Sequence, residues 1–227
     1  MMTFRYIFQL PFVTVLLLCW SACSFVADAA VRDIDGNAYR TVSLNGMVWM
    51  AENLAVSHYR NGDAVRHARS TAEWVDAARK REGAWCYYYN SSASGAAFGK
   101  LYNWYAVSDP RGLAPEGWRV PTDRDWENLA GLFGGKIAAG RYLKASSGWS
   151  PPGSSATNSS GFSALPGGYR RSDGKFMYQK AIGLFWSSTK FVRGYAWFRN
   201  MNSRNAVLFR NDTGMGNGLS VRCVRQY

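Results

Sequence analysis

The chain has 227 residues, 47% of them hydrophobic, and a formal net charge of +12, which is room for one sizeable core or two small ones. Ten Trp, thirteen Tyr and twenty-three Gly argue against a helical bundle and for a loop-rich fold of short strands. The positive charge is scattered, without a Lys/Arg block, zinc-finger spacing or helix-turn-helix cue, so it reads as a solvated surface and not as a nucleic-acid reader.

Residues 1–29 read as a targeting segment. Arg5 precedes an apolar run from Ile7 to Trp20, which is short for a membrane span and fits a signal-peptide core. Two exits compete: cleavage after Ala27-Asp28-Ala29, or a lipobox-like Trp20-Ser21-Ala22 before Cys23, which would be lipidated and tie the protein to a membrane. Either one places the folded part, residues 31–227, outside the cytoplasm. A basic exported protein is drawn to anionic glycans, lipopolysaccharide or acidic proteins.

Asp35-Gly36 and Asn45-Gly46 are turn signals between short strands. The Asp33, Asp35, Asn37 spacing resembles a calcium loop but lacks its Gly and closing Glu, so a hairpin turn is the better reading. Ser70-Thr71-Ala72-Glu73 starts a helix carrying Trp74 and Ala77 that ends near Gly83. His58 and His67 have no neighbouring Cys or carboxylate series and read as surface residues, not metal ligands. Trp85 to Tyr89 is strand-like, and Gly99 to Val107 reads as a core helix with Leu101, Trp104 and Tyr105 on one face.

The clearest stretch runs from Gly117 to Leu129. Trp118 and Val120 alternate into Pro121, Thr122 caps a helix, and Asp125 stands in for the Glu of a capping box. Trp126, Leu129 and Leu132 or Phe133 define its buried face, and Gly134-Gly135 stops it. A Gly/Ser/Pro loop from Ser146 to Gly161 follows, then a turn at Ser172 to Lys175. Strands are expected at Phe185–Ser188, around Tyr195–Phe198 and Ala206–Phe209, and at Leu219–Val224. Cys86 and Cys223 remain after cleavage. An even pair in an oxidising compartment suggests one disulfide, and the alternative is two separately buried thiols.

In order, Gly99-Lys-Leu-Tyr-Asn-Trp-Tyr-Ala, Pro115-Glu-Gly-Trp-Arg-Val-Pro-Thr-Asp, Gly161-Phe-Ser-Ala-Leu-Pro-Gly-Gly-Tyr-Arg, Trp186-Ser-Ser-Thr and Leu219-Ser-Val-Arg-Cys-Val resemble the Fibrobacter succinogenes major paralogous domain. The resemblance implies an α+β, C-type-lectin-like fold akin to the formylglycine-generating enzymes, with two helices, a small twisted antiparallel sheet and long loops. It also implies export, often as a lipoprotein. Some proteins of this fold are targets of diversity-generating retroelements, with variable side chains on a C-terminal segment. The segment from Trp186 to Cys223 is similar. Tyr195, Trp197, Arg199, Asn200, Asn202, Arg204, Asn205, Arg210, Asn211 and Asn217 interleave there with apolar residues, much as adaptable contacts do in a paratope.

The expected function is therefore a non-catalytic surface module that binds a protein or glycan through those ten residues, without metal or cofactor. A structural or adhesive envelope protein is the alternative. An oxidase is disfavoured because the related enzymes, as the family implies, need two cysteines close in sequence, and Cys223 has no such neighbour. No Gly-x-Ser-x-Gly elbow or His-Glu-x-x-His helix supports a hydrolase. The Glu-Pro-Asn and Trp-Asn-Asp motifs of calcium-dependent lectins are missing too.

Overall fold

In the computed structural model, residues 30–151 and 156–226 are described. The signal segment, its cleavage site after Ala29 and the lipidation candidate Cys23 lie outside them. The chain opens with a hairpin of β1 (Val31–Arg32) and β2 (Ala38–Tyr39). Its turn is built by Asp33, whose Oδ1 accepts from the backbone N–H of Asp35 and of Asn37. β3 (Thr41–Leu44) and β4 (Met47–Met50) form the next hairpin. Asn45 and Gly46 both take positive φ there, the conformation a two-residue turn between right-twisted strands requires.

β5 (Arg66–His67) leads to α1 (Thr71–Lys80). Ser70 and Glu73 close a full capping box on α1 and Trp74 is its core anchor. β6 (Ala84–Cys86), a 3-10 turn at Tyr88–Asn90, α2 (Ser92–Phe98), β7 (Leu101–Asn103) and the single turn α3 (Trp104–Val107) come next. The expected helix over Gly99–Val107 is thus a short strand followed by a single helical turn. Leu101 and Tyr102 pair with Cys86 and Trp85, and Asn103 then caps α3 through Ala106 N–H. Tertiary pairing overrides the helical spacing of Leu101, Trp104 and Tyr105.

α4 (Asp123–Gly131) starts at Thr122 with the predicted Asp125 capping box. α5 (Lys136–Leu143) follows it directly, a helix the sequence reading did not contain. The last third holds β8 (Tyr169–Arg170), β9 (Phe176–Met177), β10 (Ile182–Lys190), β11 (Tyr195–Asn202), β12 (Phe209–Gly214), β13 (Gly218–Leu219) and β14 (Val224–Gln226). The fold is α+β, with five α-helices and several small sheets among the described residues in place of two helices and one sheet. Sheet orders are β14-β4-β3, β10-β11-β12 and β5-β6-β7-β13-β8-β9, so the C-terminal residues stitch the first strands to the last. Trp126 is fully buried between Trp49, 5.0 Å away by ring centroids, Phe162 at 5.8 Å and Phe185 at 5.9 Å.

Three buried cations hold the loops without a carboxylate. Arg222 Nε donates to Asn53 Oδ1 at 2.7 Å, and its other nitrogens donate to the carbonyls of Met50, Phe162 and Ser163. Arg170 donates to the carbonyls of Ala68, Ser70 and Gly174. Lys144 Nζ donates to those of Asn202 and Asn205, at 3.1 and 2.8 Å. Each offsets its desolvation with several charge-assisted bonds.

The expected Cys86–Cys223 bridge is not formed: both cysteines are free and buried. Strand pairing puts Cys86 beside Leu101 in a core with Trp74, whereas Cys223 packs in a different cluster with Tyr39 and Val48. Burial pushes the Cys86 thiol up to about 11 and Cys223 higher still, from an ordinary value of 9.0. Such groups contribute stability that is complete below pH 9 and lost as the pH rises through their folded values. From pH 9 upward each thiol should cost up to about 1.4 kcal/mol per pH unit. A Cys86→Ala/Cys223→Ala variant should lose stability less steeply over that range by urea unfolding. The mature chain, denatured and unreduced, should label at two thiols, and no labelling would restore the disulfide.

Candidate functional site

A strand shows alternate side chains to opposite faces, and this divides the ten candidate residues. On β11, Tyr195, Trp197 and Arg199 point one way, and Asn200 and Asn202 the other. The register carries the division to β12, where Arg210 lies opposite Arg199 and Asn211 opposite Phe198. Arg204 and Asn205 belong to the turn after β11, and Asn217 to the loop before β13.

The first face is closed by α4. Arg199 is only 2% exposed. Its Nη1 lies 2.5 Å from Asp123 Oδ1, and Nη2 donates to the Asp123 carbonyl at 3.1 Å. The expectation that Arg199 faces solvent is therefore overturned: its charge is buried, but it is paired with the first residue of the central helix. Arg210 reaches the other oxygen of Asp123 at 2.9 Å and lies 3.4 Å above the Trp197 ring. Trp197 in turn packs on Phe191, centroids 4.4 Å apart. These residues form one braced line from the helix N-terminus to the tip of the β10–β11 hairpin.

The second face packs largely on the core, with Ala196, Leu184 and Trp186 buried, and leaves a cleft beside Asn200. Phe198, Ile182, Leu184 and Leu219 floor a cleft of about 210 Å³, with Tyr169, Tyr178, Asn200 and Thr213 around it. Tyr178 is 51% exposed, and its ring lies 6.1 Å from that of Tyr169. Asn211 Nδ2 donates to Asn200 Oδ1 at 2.9 Å. An apolar floor with a few polar side chains around it is the usual make-up of a binding site, although this one is small. Tyr169 and Tyr178 were missed in the sequence. Their signal was modest: two tyrosines flanking the Ser172–Lys175 turn in an aromatic-rich chain.

The remaining candidates shape loops. Asn202 Oδ1 accepts from the N–H of Arg204 and Asn205, and Asn205 Oδ1 from that of Val207. Asn217 Oδ1 accepts from Ser172 N–H, and its Nδ2 donates to Thr213. Arg204 is exposed.

His67 stacks on Trp85 at 3.8 Å, and His58 pairs with Asp35. Lys100 is also buried against the Trp85 ring, its Nζ 3.8 Å from the centroid. Desolvation draws its pKa down to about 8, against the opposing pull of Asp35 and Asp33. No group of three His, Cys, Asp or Glu able to hold a metal occurs among the described residues. No helix among them is long and apolar enough to cross a membrane. Five of the cations in the net charge, Lys100, Lys144, Arg170, Arg199 and Arg222, are buried, so the formal +12 overstates the cationic surface.

Together these features define an α+β domain whose C-terminal three-stranded sheet has one face locked to a helix and the other packed on the core beside a small cleft. The chain belongs to the Fibrobacter succinogenes major domain family, whose model matches residues 42–225. No curated protein matches it. No solved structure matches it either.

Proposed function

We propose that this chain is an exported, non-catalytic binding domain of the bacterial cell surface, which takes a protein or glycan ligand in the cleft beside Asn200 on the sheet β10–β12. The carrying observation is the cleft floored by Phe198 and Leu184 and edged by Tyr178 and Asn200, with Asn211 bonded to Asn200 beside it. Tyrosine gives stacking area at low entropic cost and the amides give adaptable hydrogen bonds. Family membership and the long loops on small antiparallel sheets support a C-type-lectin-like scaffold. Export rests on the N-terminal segment, leaving by cleavage after Ala29 or by lipidation at Cys23. The mass of the mature N-terminus separates these exits, and an intact Met1 would reject export.

A retroelement-diversified surface fits the same scaffold. Sequencing this locus in sibling strains should then find changes at Asn200, Asn211 and Arg204, while Arg199 and Asn217 stay fixed by their structural bonds. Uniform sequence across strains removes the diversification. For binding itself, the mature chain should be screened on arrays of surface glycans and envelope proteins. A Tyr178→Ala/Asn200→Ala/Asn211→Ala variant is expected to lose the parent's ligand at least tenfold, about 1.4 kcal/mol, with an unchanged circular-dichroism spectrum. Binding that survives the triple change would reject the cleft.

A further inference from the structure

The tip of the β10–β11 hairpin, residues Phe191 to Gly194, overhangs a second hollow of about 550 Å³. None of its lining residues appears in the tyrosine-edged cleft. The volume falls in the range of small-molecule sites, about 300–1,000 Å³. Three cations line it, Arg81, Lys190 and Arg193, and no carboxylate does. Neither the Arg81 nor the Arg193 side chain has a hydrogen-bond or ion-pair partner among the described residues, whereas most other surface arginines of this chain are paired. Lys190 Nζ stands 5.6 Å from the Trp104 ring, which forms part of the lining with Tyr105.

Aromatic surface is also presented outward. Phe191 is 45% exposed, yet its ring is fixed from behind by Trp197, which is itself held under Arg210 and so under Asp123. An exposed phenylalanine braced on one side in this way is partly preorganised, so a ligand stacking on it has less rotamer freedom left to remove. Unpaired guanidinium groups supply bidentate donors for carboxylate oxygens.

We propose that this hollow binds the acidic units of a carboxylated polysaccharide, with a sugar face on Phe191 and uronate carboxylates on Arg81, Lys190 and Arg193. Charge alone would suit any anion; the aromatic and apolar lining selects one with a flat, weakly polar ring face. The inference stands apart from the cleft reading, since the two sites share no residue and their variants can be tested separately.

Isothermal titration of the mature chain with trigalacturonate tests it. Sub-millimolar binding that weakens with added salt is expected, and none with neutral cellotriose. Lys190→Gln/Arg193→Gln and, separately, Phe191→Ala should each lower the affinity about tenfold. Arg81 sits in the left-handed region, φ 56°, so Arg81→Asn is the variant that removes its charge without straining the backbone. The Tyr178/Asn200/Asn211 variant should bind trigalacturonate as the parent does. No binding by the parent, equal binding of cellotriose, or full binding by both the charge and Phe191 variants overturns the proposal. Hexaglutamate binding as tightly as trigalacturonate and indifferent to Phe191→Ala would overturn it as well, by showing a site for acidic peptide.

Discussion

Trp126→Ala is expected to cost about 3–5 kcal/mol of stability and to lower the melting temperature by roughly 10 °C. The indole has no exposed surface and touches Trp49, Phe162 and Phe185, which come from three separate parts of the chain. Its Nε1 donates to the Trp186 carbonyl at 3.4 Å, so truncation leaves a cavity and an acceptor with one bond fewer. Rigid neighbours from β4, β10 and the Phe162 loop cannot collapse together into that space without disturbing their own packing. Denaturant unfolding measures the loss. A cost under 1 kcal/mol would mean the three elements do not meet at this side chain.

Arg199→Ala should cost a similar amount, about 3–5 kcal/mol, because removing one partner leaves the other charge buried. Asp123 is 8% exposed and would keep only Arg210, which is far more open to water. A double-mutant cycle with Asp123→Asn isolates the pair, and a coupling near zero would show that Arg199 contributes only packing. The same result bears on any attempt to probe ligand binding by replacing Arg199. Such a variant would fail by unfolding, and loss of binding in it would say nothing of a surface.

The contrast between these two residues shows what could be read in the sequence. Trp126 was legible because everything that places it is local: a Thr122 cap, Asp125 in the box, and Leu129 one helical step on. Helix α1 was legible for the same reason, with Ser70 and Glu73. Arg199 was not, because its partner is seventy-six residues away and an Arg among Asn and Tyr looks like surface until the strand register is known. The segment Leu101–Val107 misled in the opposite sense. Its apolar spacing suits a helix, but pairing with Trp85 and Cys86 makes its first half a strand. Cys86 and Cys223 show the limit of counting: an even pair says nothing about which cores the two strands enter. In the C-terminal segment the strands expected at Phe185–Ser188 and Tyr195–Phe198 fall within β10 and β11. The strand expected at Ala206–Phe209 instead begins at Phe209, and that at Leu219–Val224 breaks into β13 and β14. The division of the sheet into two faces needed the pleat.

Arg222, Arg170 and Lys144 grip the chain by its carbonyl oxygens. A carbonyl is the one acceptor every residue brings, whatever its side chain. Loops fastened in this way, including the 202–205 turn held by Lys144, depend on the clamp and on backbone shape more than on a particular composition. Mutational drift can therefore rewrite much of the exposed chemistry of such a loop while its anchor keeps the same grip. The cost of that freedom sits elsewhere, in three cations that the loops themselves do not encode.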